Sequence, residues 1–375
     1  MVNWQDDFSA TTPSGSQRAA SLGLKFHGLS GRWNSITDVE GVSVGYATII
    51  EGNGELVPGK GPVRTGVTAI LPRPIDQVCS PVTAGFFSLN GNGEMTGSHY
   101  IEEVGKFALP ITITNTHSCG VARDATIQWA AKRFPKYFSE SFALPVSAET
   151  YDGFLNDING FHVTQNHVDE AINSAASGPI EEGSVGGGTG MKSFGFKAGS
   201  GTASRIVEFD RKNYTIGTFV QANFGNRNDL KILGHPIGSK LTEPKMIQNS
   251  PVLDLSSIIV VIATDAPLLP HQLKRIARRA TLGIGNTGGF ARHGSGDIFI
   301  AFSTANTVSD VQAPEKLQDI RMVPDEHLDR FFEAVVQSTE EAILNSMTTN
   351  SDMVGRDGNF VPSIPLSEIR KLTDC

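Results

Sequence analysis

A chain of 375 residues has volume for one large or two ordinary domains, and the lack of any composition break along it favours one. Its formal net charge of −8, with no long Lys/Arg run, argues against nucleic acid or an anionic membrane surface as a partner. Cys79, Cys119 and Cys375 form an odd, scattered set without CxxC spacing, so neither a disulfide framework nor a cysteine zinc site is indicated.

The segment from Met1 to Ser30 is mostly polar and lacks the basic start and apolar core of a secretory signal. No later segment has the apolar length that spans a bilayer. The expectation is a cytoplasmic protein with reduced thiols. From Ile36 the pattern becomes regular. Val42 to Thr48 and Val63 to Leu71 alternate as paired strands do, Ala84 to Leu89 is a further apolar run, and Asn90-Gly-Asn-Gly93 is a turn signal. Ser98 to Leu109 fits a short helix stopped by Pro110, Ile111 to Asn115 a strand, and Asp124 to Phe134 an amphipathic helix ending before Pro135.

His117, Ser118 and Cys119 invite a nucleophile-plus-base reading, but such local clusters are common at turns, and catalytic partners usually converge from distant parts of the chain. Val146 to Gly153 is a short strand that delivers Glu149 and Tyr151 to a glycine turn; an ordinary strand end facing water would look the same. His167 to Ala176 reads as a helix. The run Gly183-Ser-Val-Gly-Gly-Gly-Thr-Gly190 lacks both the Lys-Ser/Thr ending of a P-loop and the register of a dinucleotide site. Hairpin strands follow it (Phe194 to Phe196, Ser204 to Phe209, Tyr214 to Val220) where a nucleotide site needs a helix, so the glycines are taken as a close-packed loop near the cleft. Asn223 then stands at the end of a strand, able to cap its own turn or to point its carboxamide at a ligand.

Leu255 to Asp265 is the centre of the reading. Ile258 to Ile262 is an unbroken β-branched run, which suits a strand buried on both faces, and Ser257 stands at its head. Lys240 to Leu255 reads as an exposed loop feeding that strand. Beyond it, Asp265-Ala-Pro opens a helix to about Leu282, with Asp265 as N-cap and Gly283 as C-cap, and Lys274, Arg275, Arg278 and Arg279 on its solvated or subunit-facing side. His293-Gly-Ser-Gly-Asp297 leads into a second buried strand, and Glu326 to Ser346 has the periodicity of an outer helix.

Several of these segments, in order from Asn34 to Asn306, resemble the family of L-aminopeptidase/D-amidase-esterases and β-peptidyl aminopeptidases. They are Asn34-Ser-Ile-Thr-Asp-Val-Glu-Gly-Val-Ser-Val-Gly45, Ala148-Glu-Thr-Tyr-Asp-Gly153, Val220-Gln-Ala-Asn223, Ser257-Ile-Ile-Val-Val261 with Ala263 to Arg275, and His293 to Asp297. The resemblance implies an α/β fold, a four-layer αββα sandwich of the N-terminal-nucleophile hydrolase kind. It implies one catalytic domain over residues 1–375 that cuts itself between Ser256 and Ser257 into 1–256 and 257–375. Ser257 is then the nucleophile, Asn223 and Tyr151 serve the oxyanion, Ser295 and Asp297 lie beside the nucleophile, and Glu149 receives the substrate's amino group. The family usually has glycine or asparagine before the nucleophile, where this chain has Ser256.

Such an enzyme needs no histidine, since the serine's own α-amine, with a usual pKa of roughly 7.7 to 8.0, can take the proton. The expected substrates are small peptides, amides or esters with a free amino terminus, and the expected assembly is a homotetramer of cleaved protomers. No cofactor is expected, and without HExxH or a zinc-spaced Cys/His cluster no metal. Two other readings stay open: an acetyl-transferring enzyme of amino-acid biosynthesis with the same fold but normally a threonine nucleophile, and an uncleaved, non-catalytic homologue.

Overall fold

The computed structural model describes residues 8–253, 255–306 and 317–373, and Cys375 lies outside them. In chain order the main elements begin with β1 (Ser43–Glu51), β2 (Val63–Leu71), β3 (Val82–Gly91), α1 (Ser98–Val104), β4 (Lys106–Phe107) and β5 (Ile111–Asn115). Then come α2 (Cys119–Arg133), α3 (Pro135–Phe138), β6 (Ser147–Thr150), α4 (Gln165–Asn173), β7 (Lys192–Ser193), β8 (Phe196–Lys197), β9 (Ser200–Phe209) and β10 (Lys212–Asn223). The rest are β11 (Lys231–Ile232), β12 (His235–Pro236), β13 (Ser256–Thr264), α5 (Pro270–Asn286), β14 (Ser295–Ser303), α6 (Asp329–Thr348), β15 (Met353–Val354), β16 (Phe360–Val361) and α7 (Leu366–Leu372).

Two sheets form the centre. One has the order β1-β2-β5-β6 and the other β4-β3-β14-β13-β10-β9, and β7–β8, β11–β12 and β15–β16 are separate two-stranded ribbons. Within the larger sheet β13 runs parallel to β14 and antiparallel to β10. Helices α5 and α6 cover its outer face, while α2 and α4 cover the outer face of the smaller sheet. The four layers are therefore helix, sheet, sheet, helix, as expected for an αββα sandwich.

The apolar run at the head of β13 explains this stacking. Ile258, Val260 and Ile262 belong to the core shared with α5 and α6, whereas Ile259, Val261 and Ala263 belong to the core between the sheets. Because successive side chains of a strand point to opposite faces, only a strand buried on both sides needs apolar residues at every position. β14 repeats the pattern, with Phe299 and Ala301 on one side and Ile298, Ile300 and Phe302 on the other. A third core lies between the smaller sheet and α2 and α4, through Val67, Ala69, Ala125, Trp129, Val168 and Ile172.

Several boundaries differ from expectation. α1 stops at Gly105, which takes the left-handed conformation (φ 68°), and the chain re-enters the sheet as β4 well before Pro110. α2 starts five residues earlier than predicted, at Cys119. α5 starts at Pro270, with no cap from Asp265, whose carboxylate accepts the Thr215 N–H at 2.6 Å instead. Gly283 is inside α5 and not its cap: a methyl there would stand 2.7 Å from Thr339 Cβ and 2.8 Å from the Val336 carbonyl of α6. That glycine permits the close approach of two helices. The basic residues of α5 are partly satisfied within the fold, with Arg279 over the Phe332 ring at 3.8 Å and Lys274 paired with Glu102 at 2.7 Å. No helix among the described residues is long and apolar enough to cross a membrane.

Candidate active site

The ends of several strands meet at one edge of the sandwich. β13 and β14 begin there and β10 ends there; Asn223 of β10 lies opposite Ser257, and Gly296 of β14 opposite Ser257 on its other side. The same edge receives the C-terminal ends of the parallel pair β5 and β6 and the turn after β3. Gln221, two residues before Asn223, ties the layers together beneath this edge. Its carboxamide nitrogen donates to the Thr114 carbonyl of β5 at 3.0 Å and to the Thr150 hydroxyl of β6 at 2.7 Å.

Ser257 is buried, and its hydroxyl donates to the carbonyl oxygen of Ser256 at 2.6 Å. The Asn223 carboxamide donates to the Tyr151 carbonyl at 2.9 Å and, at 3.4 Å, to the Leu255 carbonyl, while its oxygen accepts the Lys192 N–H at 3.1 Å. Every polar atom of Asn223 is thus fixed by backbone, and its NH₂ is aimed at the chain entering Ser257. Tyr151 meets Asn223 through its backbone; the half-buried phenol folds over Gly153, and burial, with the charge of Asp152, holds it above its ordinary pKa.

Ser295 and Asp297 form a buried pair, with the serine hydroxyl donating to the carboxylate at 2.6 Å. They flank Gly296 in the strand next to Ser257, with Ser295 opposite Ser256 and Asp297 opposite Ile258. Burial raises the Asp297 carboxyl above the usual range, against the hydrogen bonds from Ser295 and Asn90. Glu149 is also buried, receives the Glu94 N–H at 2.9 Å on one oxygen and bonds the Thr116 hydroxyl through the other. Burial raises its pKa too; the bonds from Thr116 and Glu94 and the nearby His117 oppose the shift, and the charge of Glu94 adds to it.

Gly93 links the two halves of the site. A methyl on it would stand 3.2 Å from a Glu149 oxygen and 3.2 Å from Gly296 Cα, so the turn after β3 is squeezed between the carboxylate and the strand beside Ser257. All six expected residues, Ser257, Asn223, Tyr151, Ser295, Asp297 and Glu149, are therefore drawn to one edge from four strands and a turn. Sequence reasoning did not single out Gly93, Thr116 or the Glu94 N–H. The Asn90 to Gly93 turn signal was visible, but nothing local tells that the turn abuts a carboxylate.

The His117-Ser118-Cys119 cluster does not present a reactive thiol. The Cys119 thiol is buried, donates to the Ser147 carbonyl at 3.4 Å and has its pKa pushed up to about 12 by burial and by Glu94 and Glu149, which leaves no thiolate near neutrality. The glycine run, as expected, is close-packed: a side chain on Gly187 would strike Ile113 and Gln221. Among the described residues no group of three His, Cys, Asp or Glu is placed to hold a metal ion.

The profile of peptidase family S58 matches residues 34–361. A β-peptidyl aminopeptidase, BapA, of Sphingosinicella microcystinivorans is 50% identical over 368 residues, covering 95% of this chain and 91% of the relative. The solved L-aminopeptidase D-Ala-esterase/amidase of Ochrobactrum anthropi is described as a prototype for the serine aminopeptidases and a variant of the N-terminal-nucleophile hydrolase fold. It superposes with a TM-score of 0.89 at 48% identity, over 95% of this chain and 98% of that one. A Burkholderia β-aminopeptidase superposes with a TM-score of 0.86 at 40% identity, over 96% and 98% of the two chains. On sequence over most of its length and on fold, the chain belongs to peptidase family S58 and is a serine hydrolase with the N-terminal-nucleophile fold.

Proposed function

We propose that the chain is a self-processing aminopeptidase whose nucleophile is Ser257, freed by cutting the Ser256–Ser257 bond, and that peptides beginning with a β-amino residue are among its substrates. The observation that carries this reading is the Ser257 hydroxyl lying on the carbonyl of the bond to be cut, 2.6 Å from its oxygen. Attack by Oγ on the Ser256 carbonyl carbon forms an ester and releases the Ser257 nitrogen, which takes up the hydroxyl proton. Water then opens the ester, leaving a carboxylate on Ser256 and a free amine and hydroxyl on Ser257.

That amine is the base for substrate turnover. It takes the Oγ proton as Oγ attacks the substrate carbonyl, and gives it to the departing amine. Asn223 supplies a carboxamide donor to the oxyanion. Ser295 and Asp297 lie beside the nucleophile and orient its new amine, and Glu149 pairs with the substrate's ammonium. The acyl-enzyme is then opened by water or intercepted by an amine. The choice of β-amino substrates leans on the 50% identical β-peptidyl aminopeptidase. A second chemistry, on L-α and D-α amides and esters, is favoured by the likeness to the Ochrobactrum enzyme. A cytoplasmic homotetramer of cleaved protomers completes the reading.

Intact mass together with hydrolysis of β-homoalanyl, L-alanyl and D-alanyl p-nitroanilides tests it. Two fragments and turnover of a free-amine anilide are expected. A single active chain would overturn the self-processing mechanism, and two fragments without aminopeptidase turnover would overturn the assignment of substrates.

A further inference from the structure

The loop that leads to the proposed cut is held by a segment from beyond it. Ile247 exchanges backbone hydrogen bonds with Phe360 of β16, donating at 3.0 Å and accepting at 2.9 Å. The Asn249 side chain, itself exposed, donates to the Gly358 carbonyl at 2.9 Å and the Asp357 carbonyl at 3.2 Å. The Asn249 N–H donates to the carboxamide oxygen of Asn359 at 2.8 Å. Asn359 is fully buried, and its NH₂ donates to the Phe154 carbonyl at 2.9 Å and reaches the Ser250 hydroxyl at 3.4 Å. One carboxamide thus bridges three pieces of chain: the ribbon after the cut, the loop before it, and the segment just past Tyr151.

The track continues toward Ser257. Val252 packs on the small cluster of Phe154, Leu155 and Val361, and the Leu255 carbonyl accepts from Asn223. Without the contacts at Asn249 the nearest backbone anchor upstream of the junction is the Ile247–Phe360 pair, so the stretch of chain free to reorient grows from about six residues to about eight. Ser257 carries its hydroxyl on the residue next to the carbonyl to be cut, so what this anchoring fixes is the orientation of the Ser256 carbonyl and not its distance along the chain.

We propose that Asn359 is a positioning residue for self-cleavage, clamping the Asn249–Ser250 backbone to the cleft wall at Phe154 so that the Ser256 carbonyl is presented to the Ser257 hydroxyl in one register. The inference rests on the self-processing reading above. Once the bond is cut, the ribbon holds the tail of the large fragment and has no part in the chemistry. Asn359 therefore acts on the cutting step and leaves turnover alone.

The full-length chain is made by cell-free synthesis, and loss of the uncut form is followed on gels for wild type, Asn359→Ala, Asn249→Ala and the double variant. Kinetics on a free-amine anilide are measured after processing is complete. We expect the half-time of cutting to lengthen at least threefold in Asn359→Ala and measurably in Asn249→Ala. The double variant should be no slower than the slower single one, because both act through one clamp. Finished enzyme should keep kcat/KM within twofold. Cutting at wild-type speed in both variants would overturn the proposal, as would a parallel fall of kcat/KM, which marks general damage to the wall at Phe154. Should Asn359→Ala fail to fold, the exposed Asn249→Ala carries the same test. A wild-type chain that never cuts would instead defeat the underlying reading of Ser257.

Discussion

Asn223 and Ser257 face each other across the antiparallel pair of β10 and β13, and the Asn223 carboxamide reaches past Ser257 to the Leu255 carbonyl at 3.4 Å. In the uncut chain that donor is committed to the backbone just upstream of the scissile bond. Under the proposed mechanism, release of this backbone by cutting would free it for a substrate oxyanion. Losing one such donor typically costs a hundredfold or more in turnover. Asn223→Ala should therefore lower kcat by about that factor with little change in KM, and should slow cutting as well. Steady-state kinetics beside a time course of the uncut chain checks both; a variant impaired only in KM would remove Asn223 from the oxyanion site.

Ser257→Ala should remain one chain, since no other hydroxyl is placed on the Ser256 carbonyl by the hydrogen bonds of the site. N-terminal sequencing of the small wild-type fragment should begin at Ser257. A start at Ser256 would move the register by one residue, and Ser256 begins β13 only half buried, with Ser295 opposite.

Much of this site was legible because its residues sit at the ends of strongly patterned strands. The β-branched run behind Ser257 could be read as doubly buried without knowing its neighbours, since both cores demand the same residue types. The caps of α5 were misread for the opposite reason. Asp265 and Gly283 carry local capping signals, but their roles are set by Thr215 and α6, which are distant in the chain. The ribbon around Asn359 offered no periodicity, and its importance lies entirely in hydrogen bonds to residues about a hundred and two hundred positions away. The partners of Glu149 were hidden likewise: one is a backbone N–H, which carries no residue signature.

Gly93→Ala should narrow the cleft without disturbing the fold. The added methyl would stand 3.2 Å from both the Glu149 oxygen and Gly296 Cα, tighter than ordinary contact but at an exposed turn able to yield slightly. KM should rise several-fold, most for substrates with the longer β-amino backbone, while the thermal midpoint stays within a few degrees. Equal KM values for wild type and variant across α- and β-amino anilides would place the substrate's amino end elsewhere.

Asp152, fully buried beside Tyr151, has its carboxyl raised from 3.8 to about 7 by burial, against hydrogen bonds that include Asn156 at 3.0 Å. A carboxyl whose pKa is raised by folding favours the protonated folded state. Its contribution to stability is therefore fully present below pH 3.8 and is lost as pH rises through about 7. The loss can reach about 4 kcal/mol at 1.36 kcal/mol per pKa unit. Asp152→Asn should remove this slope, so that the variant gains on wild type between pH 5 and pH 8. Denaturant midpoints at several pH values check it; parallel curves would show that Asp152 titrates alike in folded and unfolded chains.

Glu149 is assigned the substrate's ammonium because it is a buried carboxylate separated from the strand beside Ser257 only by Gly93. The Glu94 N–H and the Thr116 hydroxyl that bond it leave lone pairs for a third donor. A charge-assisted hydrogen bond in such a cleft contributes roughly 1.5 to 3 kcal/mol, so Glu149→Gln should lower kcat/KM about ten- to a hundredfold. The pair requires the ionised carboxylate, and burial raises its pKa above 4.5. In wild type kcat/KM should accordingly fall as pH drops toward that raised value, and this acidic limb should vanish in the glutamine variant. N-acetylated substrates should be poor for wild type, and Glu149→Gln should lose much of the preference for the free amine. Cutting, which involves no substrate amine, should proceed at near wild-type speed. If the preference survives the substitution unchanged, the ammonium is held by another carboxylate, and Asp297, buried two residues from Ser295, is the one to replace next.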